Sequence, residues 1–355
     1  MRYADYAHEA VELLKRLIAT PSVSREEKAA ADLLYEYAEG SGLCCHRYGN
    51  NIWIMNEDEF SPLCPTILLN AHIDTVRPSA SWTRSPFVPQ IEGDRLFGLG
   101  SNDDGGGLVA LLQAFRIMTA EFTPFYNLVF LASCEEEVSG AGGITSVLPM
   151  LPKIDFAIVG EPTNMQPAIA EKGLMVIDGV AHGKAGHAAR NEGVNAIYEA
   201  LDDFMWIRDY KFPKVSPLLG PVKMTLTVVG AGKQHNVIPD ECKFVIDVRS
   251  NELYRNEELF NIIQANVKSE LKARSYRLNS SSISTDHPIV RRCMSMGLHP
   301  FGSPTLSDQA LMPFPSVKLG PGKSRRSHTA DEFIHISEIS QAISMYVQLL
   351  KGLEI

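Results

Sequence analysis

Four short runs without charge, residues 51–55, 66–70, 127–132 and 156–159, alternate with helix-patterned segments, and this rhythm constrains the fold of the 355-residue chain most. Apolar runs of that length bounded by turn residues read as strands buried in a sheet. Strands alternating with helices imply a largely parallel sheet, and in open sheets of that kind ligands collect at the carboxyl ends of the strands. The polar residues that follow these runs are therefore the first place to look for chemistry. They are His72 and Asp74, the acidic run Glu135-Glu136-Glu137, and Glu161.

The helical segments are legible from spacing. Tyr6, Ala10, Leu13, Leu14, Leu17 and Ile18 recur at helical intervals up to Thr20-Pro21. Ser24 and Glu27 have the spacing of a capping box before a second helix through Ala30, Leu33, Leu34 and Tyr37. From Met175 the order changes. A strand at 175–181, a helix at 194–206, strands at 222–229 and 243–248, a helix at 257–271 and a last strand from Ser275 give βαββαβ, the order of a ferredoxin-like domain. The first domain resumes near Asp286 and ends in a helix at 336–350. The expected division is a catalytic domain at 1–174, an inserted domain at 175–285 and a second catalytic part at 286–355. Ser280-Ser281-Ser282 is expected in or beside an interdomain hinge.

Charge narrows the function. A formal net charge of -9 opposes nucleic-acid or anionic-membrane binding, which calls for a basic excess or stripe. Asp5, His8, Glu9 and Glu12 leave no room for a signal-peptide apolar core, and no uncharged apolar run reaches the roughly 18 residues of a membrane span. The six cysteines form no C-x-x-C pair and read as free thiols in a reducing cytoplasm.

The glycine-rich turn at 98–107 holds Asp103 and Asp104 in front of an apolar helix beginning near Leu108. Glycines let short Asp side chains approach a bound ion closely, although either Asp could equally cap the helix. His72-x-Asp74 points two side chains the same way along a strand, so Asp74 could orient a metal-binding His72. Adjacent glutamates after a strand diverge, so one can bind an ion while its neighbour takes a proton from water. Glu161 in Gly-Glu-Pro-Thr and His328 in a loop after Gly320-Pro321-Gly322 would complete two imidazoles and three carboxylates, a donor set suited to two divalent ions sharing one carboxylate. A serine hydrolase is opposed by the lack of a Gly-x-Ser-x-Gly elbow.

In this order the motifs resemble the M20 metallopeptidase and deacylase family, in its acetylornithine deacetylase and succinyl-diaminopimelate desuccinylase-like branch. The resemblance runs from about Ala10 to the C-terminus. It is carried by His72-Ile73-Asp74-Thr75-Val76, Trp82 with Pro86-Phe87, Gly98-Leu99-Gly100-Ser101-Asn102-Asp103, Gly160-Glu161-Pro162-Thr163 and Gly320-Pro321-Gly322 before His328. In the inserted domain it is carried by Gly183-Lys184-Ala185-Gly186-His187 and Asn236-Val237-Ile238-Pro239.

The resemblance implies an α/β zinc hydrolase with a mostly parallel sheet and an inserted ferredoxin-like lid and dimerisation domain. One ion would take His72, Asp103 and Glu161, and the other Glu137, His328 and Asp103. Glu136 would be the base, Asp74 a catalytic residue that orients His72, His187 an oxyanion donor, and Asn236 and Arg249 substrate contacts. The metal would be zinc, or cobalt. The register of the glutamates stays open, since Cys134-Glu135-Glu136 also aligns. Gly105 stands where the family has Lys, so any contact of that lysine is absent or supplied elsewhere.

The expected activity is removal of an acetyl or succinyl group from an amino acid such as ornithine or citrulline, in arginine biosynthesis, by a cytoplasmic homodimer. Arg249 and the basic run Lys323-Ser324-Arg325-Arg326 would favour a substrate with free carboxylates and a neutral rather than cationic side chain. The rivals are a dipeptidase or aminopeptidase of the same family and a non-catalytic binding protein on the same fold.

Overall fold

The computed structural model describes residues 3–122, 124–190 and 192–355 and divides into two compact units. The first comprises residues 1–169, 283–301 and 307–355, and the second 170–282 and 302–306. In the first, strands run in the order Cys45–Tyr48, Asn51–Met55, Asn127–Ser133, Thr66–His72, Phe156–Val159 and Ser316–Lys318. The last four pair in parallel and the first two add antiparallel at the margin. The fold is the expected α/β class with a mainly parallel central sheet.

The charge-free runs are buried on both faces because their side chains alternate between two cores. Ile67, Leu69, Phe130, Phe156 and Ile158 face one cluster with helices Tyr3–Ile18, Gly106–Glu121 and Ile336–Leu350. Leu68, Val129, Leu131 and Ala157 face the other, with Ile144, Val147 and Leu151. Helix Gly106–Glu121 is apolar almost all round because it lies between the sheet and the two terminal helices. Its N-terminus meets the strand ends through glycines. A Cβ at Gly107 would fall well inside contact distance of the Gly160 carbonyl and of Asp104. Gly107→Ala should therefore cost roughly 1–3 kcal/mol or more through overpacking. Denaturant unfolding reads this directly, and an unchanged midpoint would show that the backbones can part freely.

The second unit is a four-stranded antiparallel sheet in the order Lys223–Ala231, Glu241–Arg249, Met175–His182 and Glu270–Ala273, with helices Ala196–Asp209 and Asn256–Asn266. This is the ferredoxin-like order, with one correction. The second helix stops at Asn266 rather than Leu271, and the last strand starts at Glu270 rather than Ser275. Asp203 draws the chain out of the helix by accepting the N–H groups of Lys268 and Ser269, at 3.0 and 2.9 Å.

One local expectation also changes. Ser24 and Glu27 form no capping box, and the helix they precede, Lys28–Gly40, has no side-chain cap. Ser24 Oγ–H donates instead to Asp74 Oδ2 at 2.7 Å, while Glu27 accepts from Asn50 and from the Glu135 N–H. The serine tract, expected in or beside an interdomain hinge, ends where the chain passes from the second unit to the first, between Ser282 and Ile283, and contributes the short strand Ser281–Ser282, paired antiparallel with Ala170 and Glu171. None of the six cysteines forms a disulfide. Among the described residues no helix is long and apolar enough to cross a membrane.

Candidate metal centre

The parallel strands deliver the polar residues to one end of the sheet. His72 ends its strand, Glu135-Glu136-Glu137 follow Ser133, Glu161 follows Val159, and the Gly320 loop leads from Lys318 to His328. His72 is buried, with Nε2 at 3.3 Å from Asp103 Oδ1 and 3.9 Å from both Glu136 Oε2 and Glu161 Oε1. His328, about half exposed, places Nε2 2.9 Å from Glu137 Oε2 and 3.7 Å from Asp103 Oδ2. Asp103 thus stands between the two imidazoles. Ligand atoms of His72, Asp103 and Glu137, and separately of His72, Glu136 and Glu161, lie within 4.8 Å of one another.

Burial makes this grouping costly without a cation. Desolvation, with the charges of Glu161, Asp308 and Glu137, pushes Glu136 well above the usual carboxylate range, although His72 opposes it. Burial would lower His72, yet hydrogen bonds to Asp103 and Asp74 raise it well above its ordinary value. His328 is raised to about 9 by its bond to Glu137, with the charges of Glu137 and Asp103 adding and burial opposing. Carboxylates this close and this buried need compensating positive charge, and the N and O donors suit catalytic zinc or a similar divalent ion.

Each donor is held by its surroundings. His72 Nδ1–H donates to the main-chain carbonyl of Asp74 at 2.8 Å, which directs Nε2 into the centre. The Asp74 carboxylate lies further off, Oδ1 being 3.5 Å from Nδ1. It accepts the N–H groups of Glu136 and Glu137 at 2.9 and 3.1 Å, so its principal work is to hold the acidic turn. Glu135 has a positive φ of 54° and turns away, accepting the Gly142 N–H at 3.2 Å. Glu136 and Glu137 are the glutamates that face the histidines.

The turn at Asp103 has a partner the sequence did not reveal. Glu332 is buried and accepts three main-chain N–H groups: Asn102 at 2.8 Å and Asp103 at 2.9 Å on Oε1, and Gly100 at 3.1 Å on Oε2. Burial and the charge of Asp103 raise it to about 8 against those donors. Its place four residues after His328 was the only available signal. Glu332→Gln puts an NH2 where an acceptor stood, so at least one buried N–H loses its bond. Metal affinity should fall about ten- to a hundredfold, as for other groups that orient ligands. Competition with a chelator measures it; affinity equal to wild type would show that the turn holds itself.

At Gly105 a Cβ would collide with the Gly100 carbonyl and Leu14, so the turn is packed for glycine there. Asp104 beside it is buried with neither carboxylate oxygen hydrogen-bonded, and burial holds it well above the usual range. Lys318, also buried, brings Nζ to 3.9 Å from Glu161 Oε2.

In the second unit, the two motifs meet as a short antiparallel pair, His187 opposite Val237 and Gly186 opposite Ile238. The Ala188 N–H donates to the Asn236 carbonyl at 3.0 Å. His187 is exposed, and its Nδ1 accepts the Ala189 N–H. Arg249 makes a double contact with Asp247, at 2.8 and 3.0 Å.

Two imidazoles and several carboxylates converging at the strand ends define a metallohydrolase. Residues 68–352 match the model of peptidase family M20/M25/M40, and the chain belongs to that family. It is 28% identical to an acetylornithine deacetylase of Proteus mirabilis, over 96% of this chain and 96% of that one. It is 24% identical to a succinyl-diaminopimelate desuccinylase of Wolbachia pipientis, over 97% of this chain and 93% of the relative. A dinuclear metal-binding M20 peptidase of Bacillus subtilis shares the fold with a TM-score of 0.72 and 15% identity, covering 99% of this chain and 100% of that chain.

Proposed function

We propose that this M20 metallohydrolase removes an acyl group, acetyl or succinyl, from the α-nitrogen of an amino acid such as ornithine or citrulline, in the cytoplasm and in arginine biosynthesis. The observation that carries the reading is the joined constellation of His72, Asp103, Glu136, Glu137, Glu161 and His328, in a chain that aligns over most of its length with named deacylases. His72, Asp103 and Glu161 would hold one divalent ion, and Glu137, His328 and Asp103 a second; zinc fits best and cobalt next. When bound, such ions supply Lewis-acid polarisation of an amide carbonyl and activation of water.

The chain's own groups supply the proton traffic. Glu136, its side chain mostly enclosed and with a raised affinity for protons, takes one from the attacking water and returns it to the leaving amine. Asp74 keeps Glu136 and Glu137 in register through their main-chain N–H groups. His187 would donate to the oxygen that becomes negative in the transition state. Asn236 and Arg249 would bind the substrate, Arg249 with the N–H donors its contact with Asp247 leaves over.

A homodimer is supported by the second unit's surface. Ile197, Leu201 and Met205, spaced by four on helix Ala196–Asp209, are all exposed, and Tyr198 beside them is 69% exposed. The edge strand Lys223–Ala231 exposes Val228 and Val229. Apolar groups on an open sheet edge are what pairing with a second copy would cover.

The second reading is a peptidase, favoured by the likeness in fold to the Bacillus subtilis enzyme. Assay of acetyl- and succinyl-ornithine, the citrulline counterparts and dipeptides, with metal added, separates the two. Acyl-amino acids should be the faster substrates by kcat/KM, with citrulline derivatives ahead of ornithine ones. That last preference now rests on Lys323 and Arg325, since Arg326 is committed to Glu338 at 2.7 and 3.2 Å. Faster dipeptide cleavage overturns the deacylase reading, and faster acyl-ornithine cleavage overturns the side-chain preference alone.

A further inference from the structure

The marginal hairpin of the sheet carries another set of metal-type donors, none of them shared with the M20 centre. Cys44 and His46 are two residues apart where the chain enters the extended strand Cys45–Tyr48, a spacing that puts alternate side chains on one face. Across the hairpin His46 pairs with Trp53, and its ring stacks on the indole with centroids 5.1 Å apart and planes at 16°. The partner strand ends at Met55, and the single 3-10 turn Glu57–Glu59 brings Glu57 back to His46. His46 Nε2 lies 2.8 Å from Glu57 Oε1 and 3.8 Å from Cys44 Sγ, and the three ligand atoms are within 4.8 Å of one another.

The His46–Glu57 contact alone would be an ordinary surface pair. Adding a sulfur donor changes the chemistry. With bonds of about 2.3 Å to sulfur and about 2.0–2.1 Å to nitrogen or oxygen, tetrahedral zinc spaces its ligand atoms roughly 3.3–3.6 Å apart. The observed separations bracket that spacing. The ring is already oriented by Trp53, as a partner group orients other metal-binding histidines. Cys44 and Glu57 are exposed, which leaves a fourth position open to water.

We propose that Cys44, His46 and Glu57 bind a zinc-type divalent ion. On binding, the Cys44 thiol gives up its proton to solvent, His46 coordinates through Nε2 as the neutral imidazole with its hydrogen on Nδ1, and the Glu57 carboxylate completes the protein's share of the ligands. The ion ties the outermost strand of the sheet to the turn that follows its neighbour.

Cobalt is the probe that separates this site from the M20 centre, whose donors are nitrogen and oxygen only. Titrating Co(II) into the full chain should produce the near-ultraviolet absorption of a thiolate-to-cobalt transition. Cys44→Ser should abolish that band and leave turnover unchanged, and His46→Ala should weaken cobalt binding at the band about ten- to a hundredfold. Zinc should compete the band away and protect Cys44, identified by peptide mass, from alkylation. Absence of the band, its persistence in Cys44→Ser, an unaltered titration in His46→Ala, or alkylation unaffected by zinc overturns the proposal. None of these outcomes depends on which amide the enzyme hydrolyses.

Discussion

Glu136→Gln is expected to lower turnover by about two to four orders of magnitude while leaving the metal content unchanged. The amide keeps the shape of the carboxylate but cannot accept the proton of the attacking water. Glu136 has the right surroundings for the role: its side chain is only 9% exposed, its Oε2 lies 3.9 Å from His72 Nε2, and desolvation with neighbouring carboxylates raises its proton affinity. Glu137 instead faces His328 at 2.9 Å, which suits a ligand. Glu135→Gln is the informative companion, because its carboxylate is spent on the Gly142 N–H and its loss should touch only the turn. Kinetics and metal analysis on the two variants decide the matter. Loss of metal in Glu136→Gln together with loss of turnover in Glu135→Gln would move the assignment by one residue.

What the sequence makes legible here, and what it hides, follows from distance along the chain. The sheet strands are visible because charge-free runs buried on both faces leave a local trace, and the strand ends at His72 and Glu161 are set by the first polar residues after those runs. The glutamate register is not visible, because it depends on the positive φ of Glu135 and on Asp74 gripping the next two N–H groups from more than 60 residues away. Glu332 is hidden for the same reason: it lies 229 residues from the Asp103 N–H it holds. Ser24 shows the converse error. Its spacing to Glu27 matches a local cap, but Asp74 is a competing acceptor that only the fold brings near. Helix ends fail similarly, since the stop at Asn266 is fixed by Asp203 on another helix.

His187→Ala is expected to cut turnover by about a hundred- to a thousandfold without loss of metal, the usual cost of one donor to a transition-state oxyanion. The side chain is exposed on a short two-stranded pair with Asn236 and Val237, a placement that fixes the backbone while leaving the ring accessible. If copies pair through the apolar face of helix Ala196–Asp209 and the edge strand, His187 could serve the centre of the partner chain. Mixing inactive His187→Ala chains with inactive Glu136→Gln chains tests this. A mixed dimer then contains one centre with an intact base and an intact donor, so with random exchange about half the dimers should each carry one working site of two. Recovery toward a quarter of the wild-type rate per chain supports transfer between subunits. With subunit exchange demonstrated independently, a mixture as inactive as its components would place His187 in the service of its own chain or outside the reaction.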